Sequence, residues 1–182
     1  MNLKYKNKYR IPSTRLPNYD YASDGAYFIT ICTKNMQHHF GHITNGIMHL
    51  SEIGQFAEQF WAEIPKHFSH ITLGDHVVMP NHMHGILIID NAKKRTVSKN
   101  NPNLDIYPKD KRMAAISPKS GAIPTIIRSY KSAVTRSARP INKNFAWLPR
   151  YYDHIIQNEH AYERIANYII NNPKKWTDDK FY

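Results

Sequence analysis

The chain has one cysteine, Cys32, in 182 residues. An intrachain disulfide needs two, and a thiolate-rich zinc site needs more than one, so both are excluded and a reducing compartment suits the protein. No apolar run approaches the roughly 20 residues that a membrane span requires. The opening residues, Met1-Asn2-Leu3-Lys4-Tyr5-Lys6-Asn7-Lys8, lack the apolar stretch of a signal peptide. A soluble cytoplasmic protein without a membrane partner is expected. Acidic residues are also scarce: 14 Asp and Glu stand against 25 Lys and Arg, a formal charge of +11. Such a balance suits a polyanionic partner or serves solubility alone, and charge does not decide between the two. Twelve tyrosines and three tryptophans among the basic residues favour nucleic acid, because ring faces stack on unpaired bases.

The length fits one domain spanning 1–182. The first 20 residues are basic and interrupted by Pro12 and Pro17, which suits an extended arm. Tyr27 to Thr33 is rich in β-branched and aromatic residues and predicts a strand. Asn45-Gly46 predicts a tight turn between Ile43 and the segment Ile47 to Leu50. Ser51 is a natural N-cap for a helix reaching about Ile64, since Ile53, Phe56, Ala57, Phe60, Trp61 and Ile64 recur at helical spacing and Pro65 stops it. Ile71 to Met79 and His82 to Ile89 predict an antiparallel strand pair across Pro80-Asn81. From Asn91 to Ser120 periodicity vanishes and eight Lys or Arg stand against two Asp, which predicts a mobile basic loop. Helices are predicted from Ile123 to about Arg139 and from about Glu159 to Asn171. The order β-β-α-β-β-α-α fits an α+β fold, an antiparallel sheet with helices on one face.

His82-Met83-His84 carries the chemistry. On an extended strand, residues two apart share a face, so both imidazoles can grip one cation while Met83 points the other way. Two neutral imidazoles leave a coordination shell incomplete; Mg2+ would fill it with oxygen ligands and water, Mn2+ accepts imidazole more readily, and Zn2+ is a third candidate. Tyr168 and Asn172 lie four apart in a predicted helix, hence on one face, so the amide of Asn172 can supply an oxygen to an ion that Tyr168 faces. An ordinary core tyrosine followed by a polar cap would fit the same spacing.

Three runs then form a pattern: Met79-Pro80-Asn81-His82-Met83-His84-Gly85-Ile86, Arg150-Tyr151-Tyr152-Asp153-His154-Ile155-Ile156, and Tyr168-Ile169-Ile170-Asn171-Asn172-Pro173-Lys174-Lys175-Trp176. With Tyr9-Arg10-Ile11-Pro12 and Gly25 to Thr33, they resemble the REP-associated tyrosine transposases, members of the single-tyrosine HUH superfamily related to IS200-type transposases. The resemblance covers nearly all of the chain except residues 91–120. It implies a ferredoxin-like sheet whose central strand carries the histidines, with the catalytic tyrosine on a C-terminal helix. Carried over by motif, His82 and His84 would be metal ligands for Mg2+ or Mn2+, Tyr168 the nucleophile and Asn172 a third ligand, where IS200-type relatives have glutamine.

The resemblance further implies an enzyme that nicks and rejoins single-stranded DNA at or near repetitive palindromic hairpins, through a 5′-phosphotyrosine. Arg10, Arg15, Arg128, Lys131, Arg136 and Arg150 are the candidate DNA contacts, neutralising phosphates without reading sequence. A nickase of the replication-initiator or relaxase kind would share the histidine pair. A hairpin-binding protein without catalysis, or a structural zinc site with an RNA partner, also stays open. The active form would be a monomer or a homodimer, since the IS200-type transposases pair the histidines of one subunit with the tyrosine of the other. His154 has no assigned role.

Overall fold

The protein is described by a computed structural model covering residues 16, 17, 19–93, 119, 121–178 and 181. Its elements run β1 (Gly25–Cys32), β2 (Gly41–Thr44), β3 (Ile47–Leu50), α1 (Glu52–Ala62), α2 (Ile64–His67), β4 (Ile71–Val78), β5 (His82–Ile89), α3 (Ile123–Ile141), β6 (Tyr152–Ile156) and α4 (Glu159–Asn171). A four-stranded sheet has the order β4-β5-β1-β6, and β2 and β3 form a separate hairpin. All three pairings in the main sheet are antiparallel. Leaving out the hairpin and α2, the succession β1-α1-β4-β5-α3-β6 with this strand order is the ferredoxin-like arrangement.

Side-chain alternation along the strands divides the interior into two layers. Tyr27, Ile29 and Ile31 of β1 and Met83, Leu87 and Ile89 of β5 belong to the larger core, with Ile53, Ala57 and Trp61 of α1 and Ile126, Tyr130 and Val134 of α3. These two helices are the expected layer on one face. They lock together where the Tyr130 hydroxyl donates to the carbonyl of Ala57 at 3.0 Å and the Tyr130 ring meets Trp61 edge-on, centroids 5.4 Å apart. The other face carries Ala26, Phe28, Ile86 and Ile88, packed with Ala161, Ile165 and Ile169 of α4. Helix α4 follows the core in sequence and closes this second side, which makes β5 buried on both faces. His82 and His84 alternate with Met83, so they lie on the α4 side.

Gly85, next to the histidines, is dictated by the larger core. A Cβ there would stand 2.3 Å from Cζ2 of Trp61, far inside contact distance. Gly85→Ala is expected to overpack the core and cost about 2–3 kcal/mol, read as a lower urea midpoint at unchanged slope.

His76 of β4 pairs with Gly85 and tilts over the same Trp61 ring, centroids 6.4 Å apart. Burial, opposed by the Glu58 and Asp75 carboxylates, holds its pKa below the ordinary 6.5; burial does the same to His39. The unfolded chain therefore takes up protons near pH 6.5 that the folded chain refuses. Stability is full above 6.5 and is lost as pH falls below it. Urea midpoints at pH 7.5 and 5.5 should differ in that direction, and His76→Gln should shrink the difference.

Two boundaries differ from expectation. Pro65 does not end the chain's first helical region but sits in the first turn of α2, where proline's missing N–H costs nothing. Strand β6 lies between the two last helices, where no element was expected. It has five residues at the sheet edge with Tyr152 and His154 exposed, too short and too polar to show a strand period. Of the expected basic loop, only 91–93 and 119 are described. Of the expected arm, Leu16, Pro17, Tyr19 and Asp20 are described, and Asp20 pairs with Lys119 at 2.6 Å. No helix among the described residues is long and apolar enough to cross a membrane.

Candidate active site

The turn between β4 and β5 fixes the histidine pair. The amide N–H groups of Thr33 and Phe40 donate to the carbonyls of Asn81 and Pro80, at 2.8 and 3.0 Å. Asn81 is buried, and its Nδ2 donates to the carbonyl of Phe181 at 2.7 Å. That turns Oδ1 toward Nδ1 of His82, 2.8 Å away. Because an amide oxygen only accepts, neutral His82 holds its proton on Nδ1 and presents Nε2 as a bare lone pair. His84 lies opposite Thr30 in the register, and its Nδ1 is 2.8 Å from the Thr30 hydroxyl. Both imidazoles are buried, with their Nε2 atoms 3.1 Å apart.

Such a pair is a partial ligand set. Asn81 and Thr30 hold the two Nδ1 atoms, as hydrogen-bond partners commonly do for metal-binding histidines, and leave the Nε2 atoms facing each other. Imidazole nitrogens bind first-row transition ions, Mn2+ weakly and Zn2+ more strongly, better than they bind Mg2+, which prefers oxygen. Among the described residues no group of three His, Cys, Asp or Glu side chains converges. The remaining positions would fall to an amide oxygen, water or a substrate oxygen.

Helix α4 brings Tyr168 to this pair. Its N-cap is Asn158, whose side chain accepts from the Ala161 N–H at 2.8 Å. Buried Ala161 and Ile169 hold its inner face to the sheet. The Tyr168 hydroxyl lies 3.2 Å from Nε2 of His84. The residue is 42% exposed, so the side chain reaches from the surface down to the buried imidazole. Phe28 stacks at a tilt beneath His84 and meets Tyr168 edge-on, at 5.2 and 6.2 Å. Rings of Phe181 and Trp176 flank His82 at 4.6 and 6.0 Å. Asn172 is buried at the C-cap of α4, one turn beyond Tyr168.

Tyr168 and Asn172 line a cleft of about 350 Å3 together with Arg164 and Lys175. Sequence reasoning missed these two cations. The signal was present, since Arg164, Tyr168 and Asn172 recur every four residues on one helical face.

The expected DNA contacts divide. Arg10 and Arg15 lie outside the described residues. Arg128 and Arg136 line a groove of about 640 Å3 between α2 and α3, on the side of the sheet away from the histidines. Lys131 does not present a free charge: its ammonium donates to the carbonyls of Leu148 and Arg150 at 2.8 and 2.9 Å and lies 5.6 Å from the Trp147 ring. Burial pulls its pKa down to about 8. Arg150 is exposed and sits at φ 70°, in the left-handed region. His154 is exposed on β6 opposite Phe28.

The chain is thus a ferredoxin-like α+β protein with two buried histidines on its central sheet and a helical tyrosine at hydrogen-bond distance from one of them. No protein-family model matches it. An uncharacterized protein of Haemophilus influenzae is 41% identical over 174 residues, covering 93% of this chain and 92% of the relative, and the chain belongs to that protein's family. The solved structure of a REP-associated tyrosine transposase bound to a REP hairpin superposes with a TM-score of 0.58 at 20% identity, covering 91% of this chain and 76% of that one. The two chains share one fold.

Proposed function

We propose that the protein is a REP-associated tyrosine transposase that nicks and rejoins single-stranded DNA at or near a hairpin, with Tyr168 as nucleophile. The observation that carries this reading is the 3.2 Å approach of the Tyr168 hydroxyl to His84 within one chain. A tyrosine that only filled the core would not be 42% exposed with its hydroxyl turned to two buried, converging imidazoles.

His82 and His84 would hold a divalent cation, Mn2+ or Mg2+, with the Asn172 amide as the candidate third protein ligand. Bound there, the cation would neutralise charge on the scissile phosphate and orient it for in-line attack. Before substrate arrives, the hydrogen bond to His84 and the Phe28 edge hold the Tyr168 phenol in one orientation, which removes part of the entropic cost of attack. Tyr168 Oη forms a bond to phosphorus as the bond from phosphorus to the 3′-oxygen breaks. The product is a 5′-phosphotyrosine, and the phenolic proton ends on the released 3′-hydroxyl. The phosphodiester energy is kept, so a 3′-hydroxyl can attack the adduct and restore or exchange the strand. Arg164 and Lys175, beside Tyr168 in the cleft, are placed to meet the flanking phosphates.

The test uses a labelled single strand carrying an imperfect hairpin, with Mn2+ or Mg2+ and then with chelator. A covalent protein–DNA adduct and a free 3′-end should form only with the cation, and a second strand with a 3′-hydroxyl should capture the adduct. Binding without cleavage under every cation condition would sink the enzyme reading. Cleavage without capture would point to the nickase instead.

A further inference from the structure

We infer that Tyr152, at the head of edge strand β6, is a stacking platform for one unpaired base of the strand that carries the scissile phosphate. The inference rests on the reading of Tyr168 and the histidines given above, and adds a substrate contact at a distance from the reacting atoms.

Sheet register places the platform. Thr30 lies opposite His84 on one side and Tyr152 on the other; Phe28 lies opposite Ile86 and His154. Alternation therefore puts His84, Thr30 and Tyr152 in one row across three strands, all on the α4 side of the sheet. Helix α4 packs over β4 and β5, with Ile169 in the same cluster as Ile86 and Val77. On β6, beyond those strands, Tyr152 is 52% exposed.

The Phe28 ring stands between two exposed tyrosines, edge-on to Tyr168 at 6.2 Å and to Tyr152 at 6.5 Å. An aromatic path thus runs from the proposed nucleophile to the sheet edge. A tyrosine half in solvent contributes little to the core; a ring face beside a phosphate site offers a base what water does not.

The approach to β6 is built to hold this ring in place. The Leu148 N–H donates to the carbonyl of Cys32 at 2.9 Å, and Lys131 clamps the carbonyls of Leu148 and Arg150 from below. The clamp sustains Arg150 in the left-handed backbone region, φ 70°, an unfavourable geometry for a residue with a Cβ that persists where the surroundings impose it. Exposed Arg150 stands two residues before Tyr152, within reach of the phosphate of a stacked nucleotide. A base with its phosphate matches both groups and the +11 charge of the chain.

The experiment uses the full chain carrying Tyr168→Phe, so that the strand stays intact, and oligonucleotides with 2-aminopurine placed in turn at each unpaired position. Binding should quench one position. Tyr152→Ala and Tyr152→Leu should each restore its fluorescence and weaken binding roughly tenfold or more, the usual worth of one stacked base. Tyr152→Phe should keep both quenching and affinity; Leu preserves strand character, so a loss shared by Ala and Leu is not misfolding. The inference is overturned if no position is quenched, if Ala and Leu bind as tightly as Tyr, or if Phe fails as badly as Ala. Should the unaltered protein bind with this pattern and never cleave, the catalytic reading falls and the platform stands; should it cleave while Tyr152→Ala is neutral, only the platform falls.

Discussion

Tyr168→Phe should abolish the covalent adduct and cut strand cleavage by at least about a thousandfold, while binding to the hairpin strand changes less than about threefold. The substitution removes one oxygen. It leaves the ring, which supplies the contacts with Phe28 and His84 at 6.2 and 5.2 Å, so the fold and the shape of the cleft persist. What is lost is the only atom of the side chain able to bond to phosphorus, together with its 3.2 Å hydrogen bond to His84. No neighbouring group takes over at once, because Cys32, the single thiol, is buried on β1 and the cleft around Tyr168 is lined by amides, Arg164, Lys175 and Asp178. The readouts are the shifted band of a protein–oligonucleotide adduct and the rate of product formation at saturating enzyme. Adduct formation by the Phe variant at an undiminished rate would reject Tyr168 as nucleophile, and the other tyrosines would become candidates.

How far the sequence reveals this centre depends on which signals are local. His82 and His84 are legible because a strand's period of two is rigid, and the apolar run behind them marks a strand covered on both faces. Tyr168 and Asn172 are legible as helix neighbours for the same kind of reason. That one face meets the other is a tertiary fact: it depends on α4 crossing the sheet after the β1-α1-β4-β5-α3-β6 core is complete, and no spacing within α4 encodes it. Thr30 was invisible because it is supporting His84 from another strand, 54 residues away. Lys131 misled for the opposite reason. A basic residue on a helix flank looks like a phosphate contact, yet its two carbonyl acceptors lie 17 and 19 residues further along, in a loop whose path cannot be read from helical periodicity. Strand β6 escaped because an edge strand of five residues satisfies its backbone on one side only and needs few apolar side chains.

His84→Ala should lower cleavage by at least about a hundredfold, and mixing this variant with Tyr168→Phe should restore nothing. The first expectation follows from position: His84 meets His82, Thr30 and Tyr168 together, at 3.1, 2.8 and 3.2 Å. Removing it takes away a ligand nitrogen and the hydrogen-bond partner that orients the phenol in a single change. Because the ring is buried, truncation also leaves a cavity, so a urea midpoint should accompany the assay and a folded variant is required for the comparison. The mixing result addresses the architecture. If the tyrosine of one subunit served the histidines of another, random exchange of two defective chains would rebuild about a quarter of the sites, as half the dimers would be mixed and each would hold one intact pair. With Tyr168 and His84 in hydrogen-bond contact inside one chain, every site in the mixture lacks a required group, whatever the oligomeric state. Recovery of activity on mixing would show that the productive enzyme exchanges α4 between subunits, and the contact within one chain would then describe a resting arrangement.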